Sequence, residues 1–158
     1  MANKNQIGLD KIKSKQLADG LNYLLADYMM FYQNTRGLHW NIKGEKFFEL
    51  HLKFEELYTN LLIKVDEVAE RILTLSAIPL HTFDDYKSSA KIKSVKNVSD
   101  GKQGVQSILE AFRILIIEQR QLLKLSADAS DEGTNALMSD YIREQEKLVW
   151  MYSAFLQK

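Results

Sequence analysis

One apolar stripe, which begins just after Lys46 and continues to Ile72, constrains the fold of this chain more than any other feature. Its members recur at intervals of three and four residues, the period of one buried α-helical face. They are Phe47, Leu50, Phe54, Leu57, Leu61, Val65, Val68 and Ile72. A helix from about Glu45 to Leu75 would hold roughly 30 residues and span about 45 Å, which is long for a globular protein. The polar positions on this helix need a separate explanation.

Three other stretches repeat this period. The first reaches about Trp40, the second begins at a cap formed by Ser99 or Asp100, and the third continues almost to the end of the chain. A single Pro and 7 Gly interrupt a composition that favours helix. The sequence therefore predicts an all-α protein.

The connections between these stretches differ in length. Asn41–Gly44 predicts a tight turn, and the acidic run ADASDEG predicts a second short connection. Residues 76–99 form a longer segment, in which Thr82 can cap a short helical turn. Four long helices with one long crossover between the second and third predict a ferritin-like four-helix bundle. We expect a single domain over residues 1–158.

Charge and cysteine content exclude several functional classes. The 21 Lys and Arg residues balance the 21 Asp and Glu residues, so no overall basic field attracts a nucleic-acid backbone. The absence of Cys excludes disulfides and thiolate chemistry, and it fits a reducing cytoplasm. No apolar run of about 18 residues predicts a membrane span. Residues 1–13, which we expect to be a flexible polar tail, lack the apolar core of a signal peptide.

The histidines argue against a metal site inside one bundle. Four-helix bundles with this connectivity often bind two metal ions through Glu residues and Glu-x-x-His pairs. The residues three positions before the three histidines are Arg36, Phe48 and Ile78, so the motif is absent. His81, in the crossover, has no neighbouring metal-type residue and is interpreted as structural.

Four metal-type residues nevertheless share one side of the second helix. Relative to His51, the directions of Glu55, Asp66 and Glu70 are about 40°, 60° and 100°. Asp66 follows Glu55 by 11 positions, about 16 Å along the axis, which is too far for one ion with ligands near 2 Å. One chain therefore cannot complete this site.

A second subunit can complete it. A two-fold axis across the middle of this helix would bring Asp66 and Glu70 of one subunit to His51 and Glu55 of the other, forming two equivalent sites. His39 can join His51 across the tight turn. Imidazole and carboxylate ligands suit Fe(II), and also Zn(II) or Mn(II). Each residue alone is more often structural or solvated than a ligand, but four within one arc favour the metal site.

Several runs resemble the Dps family, the mini-ferritins that protect bacterial DNA from oxidative damage. They are LADYMMFYQNTRGLHW, LHWNIKGEKFFELHLKFEELY, DEVAERI and KLVWMYSAFL, and the similarity covers most of the chain from about residue 15. The resemblance implies a hollow shell of twelve subunits. It also implies ferroxidase sites between two-fold-related subunits, where pairs of Fe(II) are oxidised by hydrogen peroxide and the Fe(III) is stored inside as mineral. The implied ligands are His39, His51, Glu55, Asp66 and Glu70.

The resemblance is less complete at Glu55 and in the pore segment, and it leaves the role of Trp40 open. Glu55 stands where many members of the family carry Asp, which makes this ligand one methylene longer. Asp128, Asp131 and Glu132 resemble the segment that lines the iron-entry pores, although Ala136 replaces a carboxylate found in some relatives. Trp40 resembles a tryptophan beside the site, and either interface packing or a redox role can explain it.

Two other functions compete with iron oxidation. The first is a DNA-compacting shell that binds weakly through the tail lysines Lys4, Lys11, Lys13 and Lys15, with twelve tails acting together. The second is a four-helix interaction protein without metal. The second would leave the pattern of His39, His51, Asp66 and Glu70 unexplained.

Overall fold

The computed structural model describes residues 3–158. This part of the chain contains four long helices and one short helix. The helices are α1 (Lys11–Asn41), α2 (Phe47–Thr74), α3 (Phe83–Ser89), α4 (Gly101–Asp128) and α5 (Glu132–Phe155). The long helices form a four-helix bundle, and α3 lies in the crossover between α2 and α4. The described residues contain no strand, and an all-α bundle with a long crossover is confirmed.

Aspartate and threonine caps set where several of these helices begin. Asp10 accepts hydrogen bonds from two backbone amides of the first turn of α1, and Asp100 accepts one from Gln103 at the start of α4. Thr82 caps α3 in the same way, by accepting a hydrogen bond from the amide of Asp85. These short side chains satisfy N–H groups that have no partner inside the helix. Of the two predicted caps for α4, the structure selects Asp100.

Aromatic and aliphatic side chains from all four long helices fill the core. Phe31 of α1 and Phe112 of α4 pack edge to face with their ring centroids 5.0 Å apart, and Tyr28 packs on Tyr141 of α5 at 5.9 Å. Phe54 contributes the largest fully buried side chain of α2. Edge-to-face aromatic pairs stabilise a core beyond the area that they bury.

Three buried side chains form a hydrogen-bonded ring inside the bundle. Tyr28 donates to Gln119, Gln119 donates to Gln145 at 2.8 Å, and Gln145 donates back to the Tyr28 hydroxyl at 2.6 Å. Burial raises the pKa of Tyr28 well above its ordinary value. This part of the interior holds neutral, mutually satisfied groups, whereas a metal pair within the bundle would need carboxylates and histidine.

The expected flexible tail over residues 1–13 is corrected for the residues that the structure describes. Residues 3–10 fold back on themselves, because Asn3 and Lys11 are joined by a backbone hydrogen bond of 2.9 Å and Lys4 pairs with Asp10 in a β-bridge. Helix α1 already begins at Lys11, since Asp10 caps it. Met1 and Ala2 lie outside the described residues. Three of the four tail lysines, Lys11, Lys13 and Lys15, therefore lie on a helix.

The connection between α4 and α5 is shorter than the predicted acidic loop. Helix α4 continues through Asp128, and α5 begins at Glu132 with Asp131 as its cap. Ser130 takes a positive φ of 56°, which reverses the chain in three residues. No helix of residues 3–158 has the length and apolarity that crossing a bilayer requires.

Candidate metal site

A tight turn brings the two histidines of the candidate site together. Helix α1 ends at Asn41 and α2 begins at Phe47, with Gly44 at a φ of 109°, a backbone conformation that favours glycine. The imidazole rings of His39 and His51 stack with centroids 3.7 Å apart and planes 14° apart. The predicted meeting of these two residues across the turn is therefore present in a single chain.

Reciprocal hydrogen bonds fix the orientation of both rings. Nδ1 of His39 lies 2.6 Å from the backbone oxygen of His51, and Nδ1 of His51 lies 2.7 Å from the backbone oxygen of His39. A carbonyl oxygen only accepts, so each Nδ1 must carry the proton. This leaves Nε2 as the ring atom through which each imidazole can bind a metal ion. The turn thus orients both rings as candidate ligands.

An aromatic wall supports the histidine pair. Tyr58 of α2 packs its ring edge to face against His39 at 5.3 Å, and Phe47 stacks on His51 at 4.9 Å. The guanidinium of Arg36 lies 5.4 Å from the centre of the Tyr58 ring and 5.0 Å from that of Trp40. Such cation–π contacts stabilise the wall. Sequence reasoning missed Tyr58 and Arg36, although their positions, seven residues after His51 and three before His39, place them on the neighbouring turns.

The three predicted carboxylate ligands have no partner within the described chain. Helix α2 carries six acidic residues, and Glu49, Glu56 and Glu67 engage Lys46, Lys53 and Tyr141 respectively. The side chains of Glu55, Asp66 and Glu70 are exposed and make no hydrogen bond or ion pair with any described residue. The same three residues were selected from spacing alone.

One chain does not bring the whole ligand set together. Among residues 3–158, no group of three or more His, Asp or Glu side chains lies close enough to hold a metal ion. His39 and His51 meet at one end of α2, while Asp66 and Glu70 lie about four and five turns further along the same helix. The histidine pair is therefore separated from the carboxylates at the other end of α2.

The outward face of α2 also carries large apolar side chains. Leu52, Leu62, Ile63 and Leu73 are each about half exposed. Measured from His51, they lie between about 20° and 120° around the helix, the arc that also holds Glu55, Asp66 and Glu70. Apolar residues in such number on one exposed helical face mark a surface for another protein.

Asp131 has a structural role that differs from the predicted pore role. It is 3% exposed, accepts a 2.6 Å hydrogen bond from Arg71 of α2, and caps α5 through the amide of Thr134. Its oxygens are therefore occupied by groups of its own chain. Asp128 and Glu132 are exposed. Of the three predicted pore residues, these two alone present carboxylates to solvent.

We predict that Asp131→Ala lowers the thermal unfolding midpoint by about 10 °C. The change removes a helix cap and leaves the mostly buried Arg71 charge unpaired, which together cost about 3 kcal/mol. Glu132→Ala, which removes an exposed carboxylate from the next position, should shift the midpoint by at most about 2 °C. Thermal unfolding at fixed protein concentration measures both. Equal midpoints for the two variants would contradict the structural role of Asp131.

Comparison with known proteins agrees with this architecture. The family model of the ferritin-like domain matches residues 18–158. The DNA protection during starvation protein of Porphyromonas gingivalis is 38% identical over 151 residues, covering 96% of this chain and 95% of the relative. An uncharacterized protein of Haemophilus influenzae is 53% identical over 154 residues, covering 98% of this chain and 96% of the relative.

A solved structure shows the same likeness in three dimensions. The Dps protein of Vibrio cholerae O1, described as a member of the ferritin-like diiron-carboxylate superfamily, is 57% identical and superposes with a TM-score of 0.96. The alignment covers 98% of this chain and 97% of that one. Fold, sequence and coverage together show that this chain belongs to the Dps family of ferritin-like proteins.

Proposed function

We propose that this protein oxidises Fe(II) at sites shared by two subunits and stores the Fe(III) in a hollow shell. The observation that carries the proposal is the histidine pair, whose two Nδ1 atoms are held by backbone carbonyls so that both Nε2 atoms are free to bind a metal. Glu55 lies one turn further along α2 on the same side. Asp66 and Glu70 of a two-fold-related subunit supply the remaining ligands.

The outward face of α2 supports this arrangement. A two-fold axis near the middle of α2 would pair the exposed Leu62 and Ile63 with their copies, and it would bring each histidine pair to the acidic end of the neighbouring helix. The unpaired state of Glu55, Asp66 and Glu70 within one chain is then explained, because each finds its partner in the assembly. Metal binding at this site then requires the assembly of two subunits.

Hydrogen peroxide is the proposed oxidant. Two Fe(II) ions each give up one electron, and with two protons one H₂O₂ becomes two molecules of water. Both electrons go to one peroxide molecule, so no hydroxyl radical is released. The protein's residues hold the two ions close together through imidazole nitrogen and carboxylate oxygen, ligands that suit both oxidation states of iron. Removing Fe(II) and peroxide in this way would protect DNA from oxidative damage in the cytoplasm.

The proposed assembly is a dodecamer, as the membership of the Dps family suggests. Fe(III) would pass to the interior and accumulate there as a hydrated oxide. The exposed carboxylates Asp128 and Glu132 remain candidates for the path by which iron enters. Zn(II) suits the same nitrogen and oxygen ligands and would compete with Fe(II).

Stopped-flow oxidation under argon tests the proposal. Wild-type protein loaded with Fe(II) should oxidise two Fe(II) for each H₂O₂ added, seen as Fe(III) absorbance. A variant with His51→Gly and Asp66→Ala loses a ligand from each half of the site, and its rate should fall by about 100-fold or more. Glu56→Gln, which changes a carboxylate already paired with Lys53, serves as control. Equal rates in the wild type and the double variant would refute the proposed site.

A DNA-binding shell is the second candidate, favoured by the name of the Porphyromonas gingivalis relative. Lys4, Lys11, Lys13 and Lys15 are exposed near the start of the chain. Two of these lysines already bind groups of their own chain. Lys15 pairs with Asp19 at 2.8 Å, and Lys13 donates to the backbone oxygen of Asp128 at 2.6 Å. DNA retention that depends on these lysines and falls steeply with salt would establish this activity beside iron oxidation.

A further inference from the structure

A buried pair of carboxyl groups lies where the crossover passes over α1 and α4. Asp27 of α1 has no exposed surface, and Glu118 of α4 is 5% exposed. One oxygen of Asp27 accepts a 2.7 Å hydrogen bond from the backbone amide of Ile92, and one oxygen of Glu118 binds the Lys91 ammonium at 2.9 Å. The other two oxygens, Asp27 Oδ2 and Glu118 Oε2, are buried and have no hydrogen-bond partner. An unpaired buried carboxylate oxygen is costly, so something must satisfy this pair.

We propose that Asp27 and Glu118 share one proton, and that this proton joins α1 to α4 beneath the crossover. A proton on Oδ2 of Asp27 would be donated to Oε2 of Glu118, which satisfies both unpaired oxygens at once. The other oxygen of Glu118 would keep its ion pair with Lys91, whose side chain extends to the surface.

The surrounding charges agree with a proton in this position. Glu118 from α4 and Lys91 from the crossover are the charged groups that face Asp27, while Glu67 of α2 and Glu144 of α5 bind other side chains. Burial, the hydrogen bond with Glu118 and the charge of Glu118 raise the pKa of Asp27 to about 7. The hydrogen bond to Glu118 raises the pKa of Lys91, so the ammonium stays charged.

The direction of the pH effect follows from the raised pKa. An unfolded Asp ionises near its ordinary value of 3.8, whereas folded Asp27 holds its proton up to about pH 7. The folded state therefore binds the extra proton between these values, and its stability falls as the pH rises through this range. Above pH 7 two adjacent carboxylates repel each other, which weakens the contact between α1 and α4, while the amide of Ile92 still donates to the ionised Asp27.

A second attachment of the crossover does not titrate. Asn34, seven residues after Asp27 on α1, donates to the backbone oxygen of Lys93 at 2.8 Å and accepts from the amide of Val95 at 2.9 Å. A cavity of about 350 Å³ lies beneath this segment, with Phe31, Leu38 and Ile108 among its lining residues. Loss of the proton should therefore leave the crossover attached at both Ile92 and Val95, and the change in stability arises between α1 and α4.

Thermal unfolding of the intact purified protein at pH 6 and pH 8 tests the shared proton. Between these two values the unfolding midpoint of the wild type should fall by about 4 °C more than that of Asp27→Asn, because the folded wild type holds the extra proton only below about pH 7. The amide of Asn at this position can donate permanently to Glu118 and still accept from Ile92.

Infrared difference spectroscopy gives an independent measurement. The carbonyl band of a buried protonated carboxylic acid should be present at pH 6 in the wild type, disappear with a midpoint near pH 7, and be missing in Asp27→Asn. Glu118→Gln serves as a second variant. It also removes the shared proton, so the carbonyl band should be missing from its spectrum too. A wild type without the band at pH 6, or with the same change of unfolding midpoint as Asp27→Asn, would overturn the proposal. Asp140→Asn, at an exposed carboxylate of α5, should behave as the wild type.

Discussion

Shells assembled from equal amounts of two inactive variants, His51→Ala and Asp66→Ala, should recover about a quarter of the wild-type rate of Fe(II) oxidation. Each variant alone should lose about 100-fold or more, because a metal ligand is missing from every site. When the two chains pair, one of the two sites in the dimer has both ligands removed and the other has both intact. Random pairing makes half of the dimers mixed, so about one site in four is complete.

A matched mixture distinguishes this result from general rescue by mixing. His51→Ala and Glu55→Ala alter the same half of the site, so no combination of these chains yields a complete site and no rate should be recovered. The two mixtures differ only in which end of α2 carries the second substitution. Activity is measured as Fe(III) absorbance after peroxide is added to co-expressed, doubly tagged shells. Equal recovery in both mixtures, or none in either, would contradict a site shared between subunits.

The sequence predicted much of the fold because the helical period and the caps are local properties. The stripe from Phe47 to Ile72 became the buried face of α2, and Asp100 and Thr82 became caps. The error at residues 3–10 has a physical reason. Polar composition suggested a solvated tail, whereas Asn3 and Asp10 use that polarity to hydrogen-bond to each other and close a turn.

The sequence predicted candidate ligands by residue type and spacing, and of these the structure brings His39 and His51 together within one chain. The periodicity of α2 placed Glu55, Asp66 and Glu70 on one outward face, and the structure leaves all three without partners in the described chain. The backbone hydrogen bonds that orient the histidine rings could not be predicted, since they depend on how α1 meets α2 across the turn. The burial and the partners of Asp27 could not be predicted for a related reason. Its partners Ile92 and Glu118 are more than 60 residues away in sequence, and no periodicity connects them.

A single charge at the centre of the outward face of α2 should prevent assembly. Leu62 is 48% exposed in one chain and lies close to the midpoint between His51 and Glu70, where the proposed two-fold axis crosses the helix. Leu62→Glu would place two added carboxylates against each other, beside the acidic residues Asp66 and Glu55 of both subunits. An unpaired charge in such an interface costs several kcal/mol, in addition to the apolar contact that is lost.

We therefore expect Leu62→Glu to shift the protein from the shell to monomers in light scattering and to lose Fe(II) oxidation at the same time. The helix itself should persist in circular dichroism, because Leu62 makes no part of the buried core and Glu favours helix. Leu62→Met keeps the apolar volume and should leave both assembly and oxidation unchanged. A monomer of Leu62→Glu that still oxidised Fe(II) at the wild-type rate would show that one chain completes the site alone. A shell that persisted without change would place the two-fold contact on another face of the bundle.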